Sequence, residues 1–190
     1  PEQNESVGTG FFILGKNSGY ILTCCHVVKN SVNIEITIPS KGKNKYNAII
    51  ISVNDDYDLA LLKTSYKNEN YLEFFDSDDL VQGDMLSAIG YPLGQERVKI
   101  SNGILSGYEK YFLQTDAAIN EGNSGGPLMK GNKVVGVNAR KIKSILANNI
   151  GYAVPIKLFM IMKDEYLNNK IINKVNLLIR CKITDDLIKK

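Results

Sequence analysis

One serine stands at the centre of the stretch "NEGNSGGPLM", residues 120–129, between two glycine steps and ahead of a proline. Such a cluster is either a hairpin turn or a backbone shaped to bring the hydroxyl of Ser124 to a substrate. A serine hydroxyl is a weak nucleophile unless a base takes its proton and a third group orients that base. The chain has one histidine, His26, which follows the apolar run "YILT" and so sits near a strand end. Three acids compete for the orienting role. Asp55, Asp56 and Asp58 all precede the apolar run "LALL"; Asp58 abuts it and could be buried beside a histidine from a neighbouring strand, whereas Asp55 and Asp56 read as turn residues. Acyl transfer also generates an oxyanion, and converging backbone N–H groups lower that barrier by a few kcal/mol. Gly122 and the Asn123–Ser124 peptide are placed to form such a concavity, and Gly125-Gly126 would let a strand and a substrate backbone approach closely.

The elements that must position these groups read as β structure. "FFIL", a glycine-bounded turn and "YILT" form a hairpin. Residues 32–38 alternate as "VNIEITI", a half-buried strand closed by Pro39. Residues 48–53 and 59–63 add two more. A polar, acidic stretch over 67–79 then links this set to a second one: residues 85–89, 98–105, 111–115, 126–129, 133–138 and 150–154. Many short strands at regular spacing imply a sandwich or barrels. After Pro155 the apolar spacing turns helical over 156–168.

Bulk properties narrow the function. At 190 residues the chain can bury a large core, and its hydrophobic share of 44% and charged share of 23% are ordinary for a globular protein. A net charge of +3 without a basic block gives no ground for nucleic-acid binding. No apolar run is long enough to span a bilayer, and the first residues carry no signal-peptide core. The start reads as an internal cut, so the compartment is unknown. Three cysteines, Cys24, Cys25 and Cys181, make no disulfide framework. "CCH" lacks a second Cys/His pair to complete a tetrahedral site, so no metal and no cofactor are expected.

The order His…Asp…Ser, carried by "TCCHVV", "DLALL" and "TDAAINEGNSGGPL", resembles the HtrA/Deg family of trypsin-like serine proteases. "GTGFFI", "AIGYPLG", "GILSG", "VVGVNA" and "IGYAVP" follow the family's order, and the likeness covers about residues 7–156. The resemblance implies an all-β, trypsin-like double β-barrel of two six-stranded barrels with a C-terminal helix: barrel one about 7–66, the link 67–79, barrel two about 80–155 and the helix 156–168. It implies catalysis by His26, Asp58 and Ser124, with Gly122, Asn123 and Ser124 forming the oxyanion hole. Substrate would pair with the strand Val137-Asn138-Ala139. A pocket lined by Ala118, Ile119 and Asn120 and by that strand has no acid to receive Lys or Arg, so cleavage after small or medium aliphatic residues is expected. Substrates would be unfolded proteins or peptides. The alternative is a chaperone or scaffold on the same fold, held in an inactive state.

Departures from the family pattern are specific. Relatives carry Asn or Ala before the histidine, where this chain has Cys24-Cys25; a small buried residue or an oxidisable thiol are both readings of Cys25. The segment 105–112 is short where relatives have a longer sensing loop. Relatives carry PDZ domains after the protease, and residues 169–190 read as a linker and the start of one. Relatives trimerise through aromatic N-terminal segments, yet "PEQNESV" has no aromatic residue before Phe11, so a homotrimer is expected to be lost or weakened.

Overall fold

The computed structural model describes residues 6–42, 44–75, 79–91, 97–141 and 150–168. The expected PDZ start at 169–190 lies outside them. Five strands, β1 (Phe11–Ile13), β2 (Tyr20–Cys24), β3 (Ile34–Thr37), β4 (Lys45–Asn54) and β5 (Leu59–Thr64), form one antiparallel sheet in the order β1-β2-β5-β4-β3. The second set is β6 (Glu73–Phe74), β7 (Met85–Gly90), β8 (Lys99–Glu109), β9 (Phe112–Thr115), β10 (Pro127–Lys130), β11 (Lys133–Lys141) and β12 (Gly151–Pro155). Within it β7, β8, β9, β12, β11 and β10 close into a ring through the β10–β11 pairing.

The fold is thus the expected all-β, trypsin-like one, with one difference in strand count. The second barrel has its six strands; the first is a five-stranded half-barrel. Its edge strand β1 is cut to three residues because Leu14 (φ 63°) and Gly15 (φ 98°) turn the chain left-handed. The outer side of that strand is taken instead by the link, where Leu72 N–H donates to the Phe12 carbonyl at 2.9 Å.

The link is a structural strap. Asn68, almost fully buried, accepts from Gly19 N–H at 2.9 Å and donates to the carbonyls of Gly15 and Asn70 at 3.0 and 3.1 Å. Strand β6, which the polar composition did not suggest, pairs in parallel with the start of β11, ahead of the residues that β12 takes.

Alternation along the strands builds two cores from one sheet. In β5, Leu59 and Leu61 face the core shared with the second barrel, while Ala60 and Leu62 face a separate cluster with Ile21, Val28 and Ala48. Leu22 and Cys24 of β2 join the shared core, which also holds Val134, Val137 and Ala139 of β11 and Ile156 and Phe159 of helix α2 (Ile156–Asn168). That continuity fixes the half-barrel against the barrel. Phe159 is fully buried and meets Phe74 edge to face at 5.8 Å, so the helix also holds the strap in place. Phe159→Ala is expected to cost about 3–5 kcal/mol of stability, read from urea unfolding. An unchanged midpoint would mean that the helix is not part of the shared core.

Candidate active site

His26 lies on a single helical turn, α1 (Cys25–Val28), between β2 and the rest of the half-barrel. No side chain of its own segment caps this turn, and its first donors are satisfied from across the sheet. Asp58 does both jobs: its carbonyl accepts from Cys25 N–H at 3.1 Å and its Oδ1 from His26 N–H at 2.9 Å. Its second oxygen, Oδ2, lies 2.7 Å from His26 Nδ1. Asp58 holds a left-handed backbone (φ 54°), a conformation that costs a non-glycine residue about 1–3 kcal/mol and persists only where its surroundings enforce it.

The enforcement is visible around the turn. Asn54 Oδ1 accepts from Tyr57 N–H at 2.9 Å, and Cys24 pairs with Leu59 in the β2–β5 ladder. From the other barrel, the two-residue tip between β8 and β9 brings up Tyr111, whose hydroxyl donates to the Asp56 carbonyl at 2.8 Å. The rings of Tyr57 and Tyr111 meet edge to face at 5.2 Å. The short 105–112 segment therefore braces the acid-bearing turn.

Ser124 is sewn into the seam between the two units. Its carbonyl accepts from Thr9 N–H at 2.9 Å, and Gly125 N–H donates to the Asn138 carbonyl at 2.8 Å. Thr9 also donates its hydroxyl to the Gly122 carbonyl at 2.6 Å. Gly125 (φ 83°) has no room for a side chain: a methyl group would be driven into Thr23 Oγ1 and the Thr9 carbonyl. The Ser124 hydroxyl donates to the Ala139 carbonyl at 3.1 Å, and no hydrogen bond joins it to His26 among the described residues. The structure thus pairs His26 with Asp58 and turns the Ser124 hydroxyl to β11.

The remaining expected site residues fall around this loop. Gly122 (φ 91°) and Asn123 are buried. Neither the Gly122 nor the Ser124 N–H donates to a protein acceptor among the described residues, whereas Asn123 N–H closes a turn on the Asn120 carbonyl at 3.0 Å. Asn123 Nδ2 reaches the Ala118 carbonyl at 3.4 Å. Ala118 and Asn120 are exposed; Ile119 is buried in the barrel core. Val137 is paired on both sides, with Pro127 and Val154. Asn138 N–H donates to the Gly126 carbonyl at 2.8 Å. The backbone of β11 that faces Ser124 without a strand partner therefore begins at Ala139, which falls in a bulge.

The two adjacent cysteines are both buried. Cys25 donates to Asp55 Oδ1 at 3.3 Å, and that carboxylate also receives Lys29 Nζ at 2.7 Å. Burial and then this bond to Asp55 push the Cys25 thiol up to about 11, so it stays protonated and is the small buried residue of the two readings. Asp55 is thereby accounted for as a surface partner, held below the usual carboxylate range chiefly by Lys29. Cys24 donates to the Asn138 carbonyl at 3.3 Å, and burial raises its thiol strongly.

A model described as "Trypsin-like peptidase domain" matches residues 8–137, and the chain belongs to that family. Several relatives within the class are DegP-like or Do-like proteases. It is 35% identical over 181 residues to a probable periplasmic serine endoprotease, DegP-like, of Chlamydia muridarum, covering 89% of this chain and 35% of the relative. It is 33% identical over 205 residues to putative protease Do-like 3, mitochondrial, of Arabidopsis thaliana, covering 99% and 35%. Among solved structures, the HtrA-type protease AlgW with a decapeptide superposes with a TM-score of 0.76 at 31% identity, over 86% of this chain and 52% of that one. Within the trypsin-like peptidases, then, this is a protease domain of the HtrA/Deg family. The chain spans about a third of the length of the curated relatives it matches.

Sequence reasoning named His26, Asp58 and Ser124 but not Thr9 or Tyr111. Thr9 had a signal in "GTG", a hydroxyl between two glycines; Tyr111 had none, because its partner is 55 residues away. Gly125→Ala is expected to lose at least the 1–3 kcal/mol of a strained left-handed residue and to lower the thermal midpoint, with the seam to Thr9 broken. A midpoint equal to wild type would show that the loop does not need this backbone.

Proposed function

We propose that this chain is a serine endopeptidase of HtrA/Deg type that hydrolyses peptide bonds in unfolded proteins through His26, Asp58 and Ser124. The single observation that carries the reading is the Asp58 carboxylate bridging His26 Nδ1 and the His26 backbone while Ser124 is sewn into the adjoining seam. A carboxylate on Nδ1 requires the proton there, which leaves Nε2 of the neutral ring as an acceptor. To become a nucleophile, Ser124 must turn its hydroxyl from the Ala139 carbonyl to the imidazole. His26 takes the hydroxyl proton as the oxygen attacks the scissile carbonyl and returns it to the leaving amine; Asp58 stabilises the imidazolium between the two steps. The unengaged amides of Gly122 and Ser124 are the donors for the oxyanion.

Substrate binding follows the same logic. An extended peptide adds its backbone at Ala139, displacing the serine hydroxyl from that carbonyl and so coupling binding to activation. The pocket beside Ala118, Ile119 and Asn120 takes a small or medium aliphatic side chain, because none of the residues assigned to it is acidic. In the whole protein, residues 169–190 lead into a PDZ domain.

Wild-type protein and Ser124→Ala are compared on unfolded casein and with a fluorophosphonate probe. Labelling and proteolysis in wild type, both lost in the variant, are expected, with a peptide-library profile dominated by Val, Ile or Ala before the cut. Suppressed aggregation with neither reaction in wild type would favour a chaperone, and a profile dominated by Lys or Arg would overturn the pocket.

A further inference from the structure

Catalysis leaves unused the first cysteine of "TCCH". Cys24 is fully buried, directly beneath the catalytic pair. A ligand atom from each of Cys24, His26 and Asp58 lies within 4.8 Å of the others. The cluster is open to solvent on one side, the His26 side chain being 49% exposed and that of Asp58 17%. The sequence carries no second Cys/His pair to complete a tetrahedral site and so predicts no metal; the fold instead brings Asp58 to Cys24 and His26. Three protein ligands of S, N and O type with one open position are a different arrangement, one that a thiophilic divalent cation such as Zn²⁺ accepts with a water as fourth ligand.

The geometry points to an inhibitory site for a thiophilic divalent cation, formed by Cys24 Sγ, His26 Nδ1 and a carboxylate oxygen of Asp58. This inference rests on the proposed role of His26 as base. The charges fit: one thiolate and one carboxylate neutralise a doubly charged ion, and the imidazole binds neutral. The proton balance sets the consequence. On binding, the Cys24 proton and the His26 Nδ1 proton both leave to solvent or buffer, and the neutral ring takes a proton at Nε2. The nitrogen that must accept from Ser124 then carries a hydrogen, and the lone pair at Nδ1 is held by the metal. Ser124 loses its base without any movement of its own loop. Entry requires the 2.7 Å hydrogen bond between His26 and Asp58 to open; a peptide at the site would shield that route, so substrate and ion compete.

The test uses Zn²⁺ and Cd²⁺ as probes on the full chain. Cd²⁺ is titrated while the ultraviolet thiolate-to-metal charge-transfer band is followed, in wild type, Cys24→Ala, Cys25→Ser and Cys181→Ser. The band is expected in all but Cys24→Ala. In parallel, Zn²⁺ is expected to slow fluorophosphonate labelling of wild type, reversibly with chelator, and to need a concentration more than roughly tenfold higher in Cys24→Ala. Equal sensitivity of wild type and Cys24→Ala, or a band that survives in Cys24→Ala, overturns the site. Should Cys24→Ala fail to fold, wild type alone decides. Cadmium NMR is expected to show one thiolate ligand while the ring signals of the sole histidine shift, and unmoved histidine signals would sink the inference. A chain that shows the cadmium signature but never labels at Ser124 would retain the metal site and contradict the protease reading instead.

Discussion

The seam that holds the nucleophile loop against the half-barrel rests on the hydrogen bonds of one buried threonine. Thr9 donates its amide to the Ser124 carbonyl, accepts at its own carbonyl from Thr23 Oγ1 at 2.7 Å, and donates its hydroxyl to the Gly122 carbonyl. The same hydroxyl accepts from Tyr91 N–H at 3.0 Å. One residue thus ties β2 of the half-barrel to the carbonyls of Gly122 and Ser124 and to the residue that follows β7. Each bond is worth about 1 kcal/mol net, but breaking one leaves a buried partner unsatisfied, which costs more. Three of these four bonds use the hydroxyl of Thr9 or Thr23, which sets both threonines close against the loop. This is why Gly125 must lie flat against Thr9 and Thr23.

Asp58 carries the complementary constraint. It terminates one turn, caps another and orients the imidazole, all with one carbonyl and one carboxylate. A residue asked to do this adopts a left-handed backbone, and the structure offsets that strain from both sides: Asn54 holds Tyr57, and Tyr111 reaches over from the second barrel. The tip between β8 and β9 spans two residues, so its reach is fixed. The brace between barrels is therefore a property of this short hairpin, and the acid and the barrel interface are stabilised together.

Much of this was legible in the residues themselves, for reasons that can be stated. Strand β5 announced itself because a run buried on both faces must be apolar throughout, and β3 because one face is half-buried and the other exposed. The helix after Pro155 was legible because proline fits a first turn and Phe159 falls on a helical spacing with Ile156. Asp58 could be singled out from Asp55 and Asp56 by its contact with the strand, and the structure assigns Asp55 to Lys29 and Cys25. Long-range hydrogen bonds left no such trace. The strap at Asn68, strand β6 and the Tyr111 brace are made by polar or aromatic residues whose partners lie far away in the chain. The open first barrel likewise depends on which edge the link covers, and local pattern does not encode that. Resemblance alone points to Val137 and Asn138 as a pairing edge; in the fold their backbone is engaged by β10, β12 and the nucleophile loop.

The central claim is that His26 and Ser124 act as one unit although the structure shows no hydrogen bond between them. The most direct measurement is the residual rate of peptide hydrolysis in His26→Ala, Ser124→Ala and the double variant. If the pair works as a unit, each single change costs nearly the whole effect and the double variant is no slower than either. Losses that multiply in the double variant, or a His26→Ala protein that retains wild-type turnover, would show that the two residues act independently and that Ser124 is not activated by this histidine.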